Sequence, residues 1–144
     1  MEGSGPMPVG EKRLLIVDDD TQLLRLLRDA FEAESYQVTV ATDAPDALAY
    51  IQAAGLPHLV LIDLDLPSMH GYQLSERLKA MGDVPIIFIT GTDDPKTIAD
   101  SLRRYADDYV IKPISVAELL ARVARVLSRI VDFGYVQSPV IPID

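Results

Sequence analysis

Apolar positions along this chain follow two rhythms that take turns. Continuous or alternating apolar runs fall at residues 13–17, 37–41, 58–62, 84–89 and 109–111. Each is short enough for a strand. Between them, apolar residues recur every three or four positions, as on one face of a helix. Leu23, Leu24, Leu27, Ala30 and Phe31 form the first such stripe, and Ala47, Leu48 and Ile51 the second. Leu74, Leu78 and Met81 form the third. The last carries Val116, Leu119, Leu120, Val123, Val126, Leu127 and Ile130.

Local stop and start signals agree with this division. Asp20 or Thr21 opens the first helix, Asp43 caps the second with Asp46 in its first turn, and Ser115 caps the last. Gly55 ends the second helix, Gly71 opens the third, and Pro95 fits the first turn of a fourth. Five strand–helix units in strict alternation predict a parallel sheet covered by helices on both faces. Near-continuous apolar strands fit a sheet buried on both sides. Residues 1–11 are rich in Gly and Pro and read as a disordered lead-in or cloning remnant. The domain is expected over 12–131, and 132–144 as a tail or linker toward a further domain. In that tail Tyr135-Val136 and Val140-Ile141-Pro142-Ile143 look β-like but have no partner strand.

Composition narrows the function. The chain has 144 residues, a formal charge of -9 and no cysteine. A field of that sign disfavours direct binding to nucleic acid or anionic lipid. Thiol nucleophiles and thiolate zinc sites are excluded. No apolar run approaches the roughly 18 residues of a membrane span, and no signal-peptide pattern is present. A cytoplasmic protein is expected.

The chemistry sits at the strand ends. The first strand runs into Asp18-Asp19, the third into Asp63, the fourth into Thr90 and the fifth into Lys112. In an open parallel sheet these ends share one edge, where sites form. Three carboxylates brought together repel, and a hard divalent cation such as Mg²⁺ relieves that repulsion. Lys112 and Thr90 suit phosphoryl oxygens. A carboxylate serves as nucleophile by forming an aspartyl-phosphate, and Asp63 ends the most apolar and central strand. Each feature also has a plain reading. The Asp18-Asp19-Asp20 run resembles helix-capping acids, Thr90-Gly91 is a common turn pair, and Lys112-Pro113 suits a solvated turn. Tyr109 suits edge packing, and Arg122 and Arg129 suit solvated helix charges. His58 and His70 lack a third ligand and read as structural or exposed.

Taken together, Asp18-Asp19, Asp63 before Leu66-Pro67 and Gly71, Thr90-Gly91, and Tyr109-Val110-Ile111-Lys112-Pro113 resemble the receiver domain of two-component response regulators. The match covers about residues 12–129, with its motifs in order. The resemblance implies a flavodoxin-like (βα)5 fold with strand order 2-1-3-4-5. It implies that Asp63 accepts a phosphoryl group from a sensor histidine kinase or a small phosphodonor. It implies Mg²⁺, with Mn²⁺ as a substitute, held by Asp19, Asp63 and the backbone carbonyl of Asp65, with Asp18 acting partly through water. Thr90 and Lys112 would hold phosphoryl oxygens, and Thr90 and Tyr109 would form the switch. Beyond self-phosphorylation and autodephosphorylation, no enzyme activity is implied.

Asp107, Asp108, Glu118, Arg122 and Arg129 further resemble the OmpR/PhoB branch. Its receivers form homodimers through the fourth helix, fifth strand and fifth helix, and its DNA contacts come from a winged-helix output domain. A stand-alone receiver or phosphorelay protein is the alternative. Three features depart from the pattern: His70 replaces the usual Asp or Asn, Ile114 the usual Phe, and Tyr105 the usual Gly. For Tyr105 two readings stay open, a changed turn or projection into the dimer face. Asp65 and Thr92 stand where the family tunes dephosphorylation. A haloacid-dehalogenase-like phosphatase is disfavoured, because Asp63-Leu64-Asp65 follows the third strand and no cap domain fits the length. A phosphate-independent module is disfavoured because every reactive group is present, and a nucleotide site because no Gly-rich loop follows the first strand.

Overall fold

The computed structural model describes residues 12–134. The expected lead-in, residues 1–11, lies outside the described residues, as do the β-like segments of the tail. The elements alternate as β1 (Arg13–Val17), α1 (Thr21–Ala33), β2 (Gln37–Ala41), α2 (Ala44–Ala54), β3 (Leu59–Asp63), α3 (Gly71–Met81), β4 (Ile86–Thr90), α4 (Pro95–Arg104), β5 (Asp108–Ile111) and α5 (Val116–Gly134). The sheet is parallel with order β2-β1-β3-β4-β5. The alternation implies the parallel sheet, and the resemblance to receiver domains implies this flavodoxin-like strand order.

Alternate strand residues feed two cores. Leu15, Val17, Val60, Ile62, Ile86 and Phe88 face α2 and α3, with Ile98 of α4 partly buried against the same layer. Leu14, Ile16, Leu59, Leu61, Ile87 and Ile89 face α1 and α5. Both faces of β3 and β4 are therefore dry, which is why their sequences show no polar alternation.

Local capping chemistry sets the helix starts. Asp20 accepts hydrogen bonds from Gln22 N and Leu23 N, both at 3.1 Å. Asp43 accepts from Asp46 N, and Ser115 accepts from Glu118 N. Gly55 closes α2 at φ 84°, a backbone region that favours glycine. β4 begins at Ile86 rather than 84, because Pro85 has no N–H for the ladder. α5 continues to Gly134, past the expected boundary at 131, since residues 131–133 contain no helix breaker.

Candidate functional site

Register builds the site. Val17 pairs with Ile62 across β1 and β3, so Asp18 and Asp63 emerge at the same level. Asp63 pairs with Ile89, and Thr90 pairs with Ile111, which places Thr90 and Lys112 at the same rim. Lys112 N donates to Thr90 O at 2.7 Å, locking the end of β5 to that of β4. The Lys112–Pro113 peptide is cis.

The carboxylates are held by backbone as well as by burial. Asp18 Oδ1 accepts from Asp20 N at 2.9 Å, and Asp63 Oδ1 accepts from Asp65 N at 3.1 Å. Asp18 is fully buried, Asp63 almost so, and Asp19 is exposed. One oxygen from each of Asp18, Asp19 and Asp63 lies within 4.8 Å of the others. Lys112 Nζ stands 3.4 Å from Asp18 Oδ2 and 3.5 Å from Asp63 Oδ2. The contact to Asp18 lacks hydrogen-bond alignment, so Asp18 Oδ2 is buried without a hydrogen-bond partner among the described residues.

The electrostatics follow. Burial pushes the Asp18 carboxyl up, with the Asp63 charge adding to it, against the opposing pull of the Asp20 amide and Lys112. Burial pulls the Lys112 ammonium down, but the Asp18 and Asp63 charges outweigh this and raise it. A buried oxygen that lacks a donor, in a cluster of three acids, leaves a demand for positive charge that one ammonium, itself about one-third exposed, does not meet. An all-oxygen donor set of this kind fits a hard divalent cation.

Thr90 ends β4 almost fully buried, and its Oγ1 accepts from Thr92 N at 3.3 Å. Tyr109 is buried, and its hydroxyl donates to Thr92 O at 3.2 Å. The β4–α4 connection thus lies between these two side chains.

The group at α5 is already engaged within the chain. Arg122 Nη1 donates to both Asp108 oxygens at 2.9 and 3.1 Å, and its Nε and Nη2 donate to Glu118. Arg125, which the sequence reading passes over, adds a 3.0 Å bond to Asp108. It lies one turn from Arg122 on α5. Asp107 turns the other way: its carboxylate accepts from Ile86 N at 2.9 Å and lies 3.8 Å from Lys79. Arg129 is exposed on α5.

Three further residues gain a role from the structure. Gly71 is needed for space rather than for a turn: a Cβ there would sit 2.8 Å from Leu64 Cα and 3.0 Å from Asp63 O. His70 caps α3, its Nδ1 accepting from Tyr72 N while Gln73 Oε1 accepts from His70 N. Tyr105 stacks on Tyr72 with centroids 4.5 Å apart, packed against the core rather than projecting into the α4–β5–α5 face.

Comparison with known proteins points to one family. Residues 14–124 match the family described as response regulator receiver domain. The chain is 41% identical over 116 residues to the sensory transduction protein RegX3 of Mycobacterium tuberculosis, covering 81% of this chain and 51% of that protein. It is 36% identical over 123 residues to a probable transcriptional regulator, ycf27, of Cyanophora paradoxa, covering 85% and 51%. The chain therefore spans about half the length of the curated relatives it matches. A CheY-like receiver domain protein from Methanospirillum hungatei superposes with a TM-score of 0.75 at 35% identity, covering 82% of this chain and 94% of that one. The non-phosphorylated HemR receiver domain of Leptospira biflexa gives 0.76 at 28%, covering 82% and 95%.

Proposed function

This chain belongs to the response regulator receiver domain family, and we propose that Asp63 is its phosphoacceptor. The observation that carries the reading is the position of Lys112, within 3.5 Å of both buried acids at a cluster completed by Asp19. One Asp63 carboxylate oxygen attacks phosphorus as the bond from phosphorus to the donor breaks. The donor, a kinase phosphohistidine or acetyl phosphate, leaves with the electron pair. Asp65 N orients the carboxylate by its bond to Asp63 Oδ1. Lys112 and Thr90 receive the phosphoryl oxygens.

Asp19, Asp63 and the Asp65 backbone carbonyl would hold Mg²⁺, with Asp18 acting through water. Bound there, Mg²⁺ would supply Lewis-acid charge to the phosphoryl oxygens and offset the repulsion among the acids.

Phosphorylation adds about -1.5 to -2 charge beside Thr90 at neutral pH. Thr90 moves toward the new oxygens, and the buried Tyr109 ring and the β4–α4 segment settle around it. The bias equals the difference in contacts between the two states. The output is dimerisation through α4–β5–α5, where Asp108, Glu118, Arg122 and Arg129 lie, followed by transcriptional control through sequence outside this domain. The transcriptional regulator among the relatives and the relatives' doubled length support that step. A stand-alone receiver is the second reading.

The test is incubation with acetyl phosphate and Mg²⁺ followed by intact mass. A hydroxylamine-sensitive adduct, absent from Asp63→Ala, is expected. An adduct that persists in Asp63→Ala sinks the assignment.

A further inference from the structure

The α4 helix is held to the body of the protein by little apolar surface. Ser101 is its one buried residue, and Ile98 is partly buried. One side chain of α3 reaches its middle. The Tyr72 hydroxyl meets Ser101 Oγ and lies 3.3 Å from Thr97 O, while Ser101 Oγ donates to Thr97 O at 2.8 Å. The Tyr72 ring stacks on Tyr105 at the end of α4 and tilts against Phe88 of β4 at 5.5 Å. Ser75, one turn along α3, donates to Tyr105 O at 2.7 Å.

The other end of this contact is the acceptor loop. Gly71 N donates to Leu64 O at 2.8 Å, and the missing Cβ of Gly71 lets α3 rest directly on Asp63 O and Leu64 Cα. Adjacent residues of one helical turn therefore touch the Asp63–Leu64 backbone and the middle of α4. A helix turn is stiff, so a displacement of the loop is carried to Tyr72 with little loss.

Resting on the phosphoacceptor reading above, we propose that Tyr72 is a positioning residue that couples the Asp63 loop to α4 through the first turn of α3. This route is separate from the one through Thr90 and Tyr109. Tyr72 grips α4 at its middle, while Tyr109 grips Thr92 ahead of its start. The Tyr72 contacts hold α4 where the Tyr109 hydroxyl reaches Thr92. They therefore favour the arrangement in which Tyr109 is buried.

Two arms test the proposal on the protein with all its residues. In the first, amide hydrogen exchange is followed without phosphodonor. Tyr72→Phe keeps the ring stack and removes the hydroxyl, and α4 exchange is expected to rise about fivefold while α1 and α5 are unchanged, from the loss of one net hydrogen bond. Ser101→Ala is expected to raise it by less, because the Tyr72 hydroxyl keeps its bond to Thr97 O, and the two changes are expected to combine less than additively. In the second arm, acetyl phosphate labelling of Tyr72→Phe is expected to slow severalfold with Mg²⁺ affinity unchanged.

Unaltered α4 exchange in Tyr72→Phe, or an equal rise in every helix, overturns the proposal. So does labelling at the wild-type rate. If wild-type protein takes up no phosphoryl group, the phosphoacceptor reading fails, and the exchange arm still decides whether Tyr72 anchors α4.

Discussion

Lys112 Nζ stands 3.5 Å from Asp63 Oδ2, although β4 lies between the strands that carry them. The ammonium crosses the end of a neighbouring strand and ends among carboxylates rather than in water. It is about two-thirds buried, and both acids it meets are almost fully so. The cation is therefore part of the site's charge balance and not a decoration of a turn.

Removing that cation has two opposed effects. Lys112→Met leaves Asp18 and Asp63 to repel each other, and is expected to destabilise the metal-free protein by about 1–2 kcal/mol, discounted for partial exposure. Added Mg²⁺ should recover most of that loss, while acetyl phosphate labelling falls by at least about tenfold, or 1.4 kcal/mol in the barrier. Urea denaturation with and without Mg²⁺, alongside intact mass, checks both halves.

Ligand linkage makes a separate prediction for the metal. Mg²⁺ at a hundred times its dissociation constant is expected to stabilise the wild-type fold by about 2.7 kcal/mol. Asp19 is exposed, so Asp19→Asn is expected to fold normally and lose most of this increment. Chelation should abolish labelling. Equal stabilisation of both proteins by Mg²⁺ would place the ion elsewhere.

A methyl group at position 71 has nowhere to go. Besides the Leu64 side chain end, the neighbours of its Cβ are Leu64 Cα and Asp63 O, backbone atoms that do not swing aside as a side chain end would. Gly71→Ala is expected to cost about 1–3 kcal/mol. It should also reduce labelling, because relief requires α3 or the Asp63 loop to shift. Thermal unfolding and labelling rate measure the two effects.

The start of α4 depends on pH through Asp94. Hydrogen bonds from the Thr97 amide and hydroxyl hold the Asp94 carboxyl below its ordinary value of 3.8. A lowered folded-state value means that the cap contributes fully above 3.8 and fades as the pH falls through the depressed value. Protection of the Thr97 amide is thus expected to be flat from neutral pH down to about pH 5 and to drop below about pH 4. In Asp94→Asn the drop specific to this cap should vanish. Amide exchange measured by NMR across that range distinguishes the two.

The ion pairs at α5 set a competition. Arg122 already spends its donors on Asp108 and Glu118 in the same chain, so pairing with a second copy must exchange one set of bonds for another. Arg122→Ala is expected to cost the monomer only about 1 kcal/mol, since Arg125 still holds Asp108. The same change should abolish any dimer formed after treatment with acetyl phosphate. Sedimentation of the treated variant against wild type gives the answer.

Much of this protein is written in short-range patterns. The five strand–helix units, the caps at Asp20, Asp43 and Ser115, and the carboxylates at the ends of β1 and β3 each depend on residues within a few positions of one another. Periodicity and capping are local properties, so a linear reading reaches them, and the parallel sheet follows from their order. The tertiary structure alone decided the contacts between side chains from distant elements. The Tyr72–Tyr105 stack, the turn of Asp107 back toward Ile86, the Arg125 arm on Asp108 and the backbone approach that requires Gly71 all belong here. Each depends on strand register, helix packing and side-chain direction together, and no window of neighbouring residues encodes such a sum.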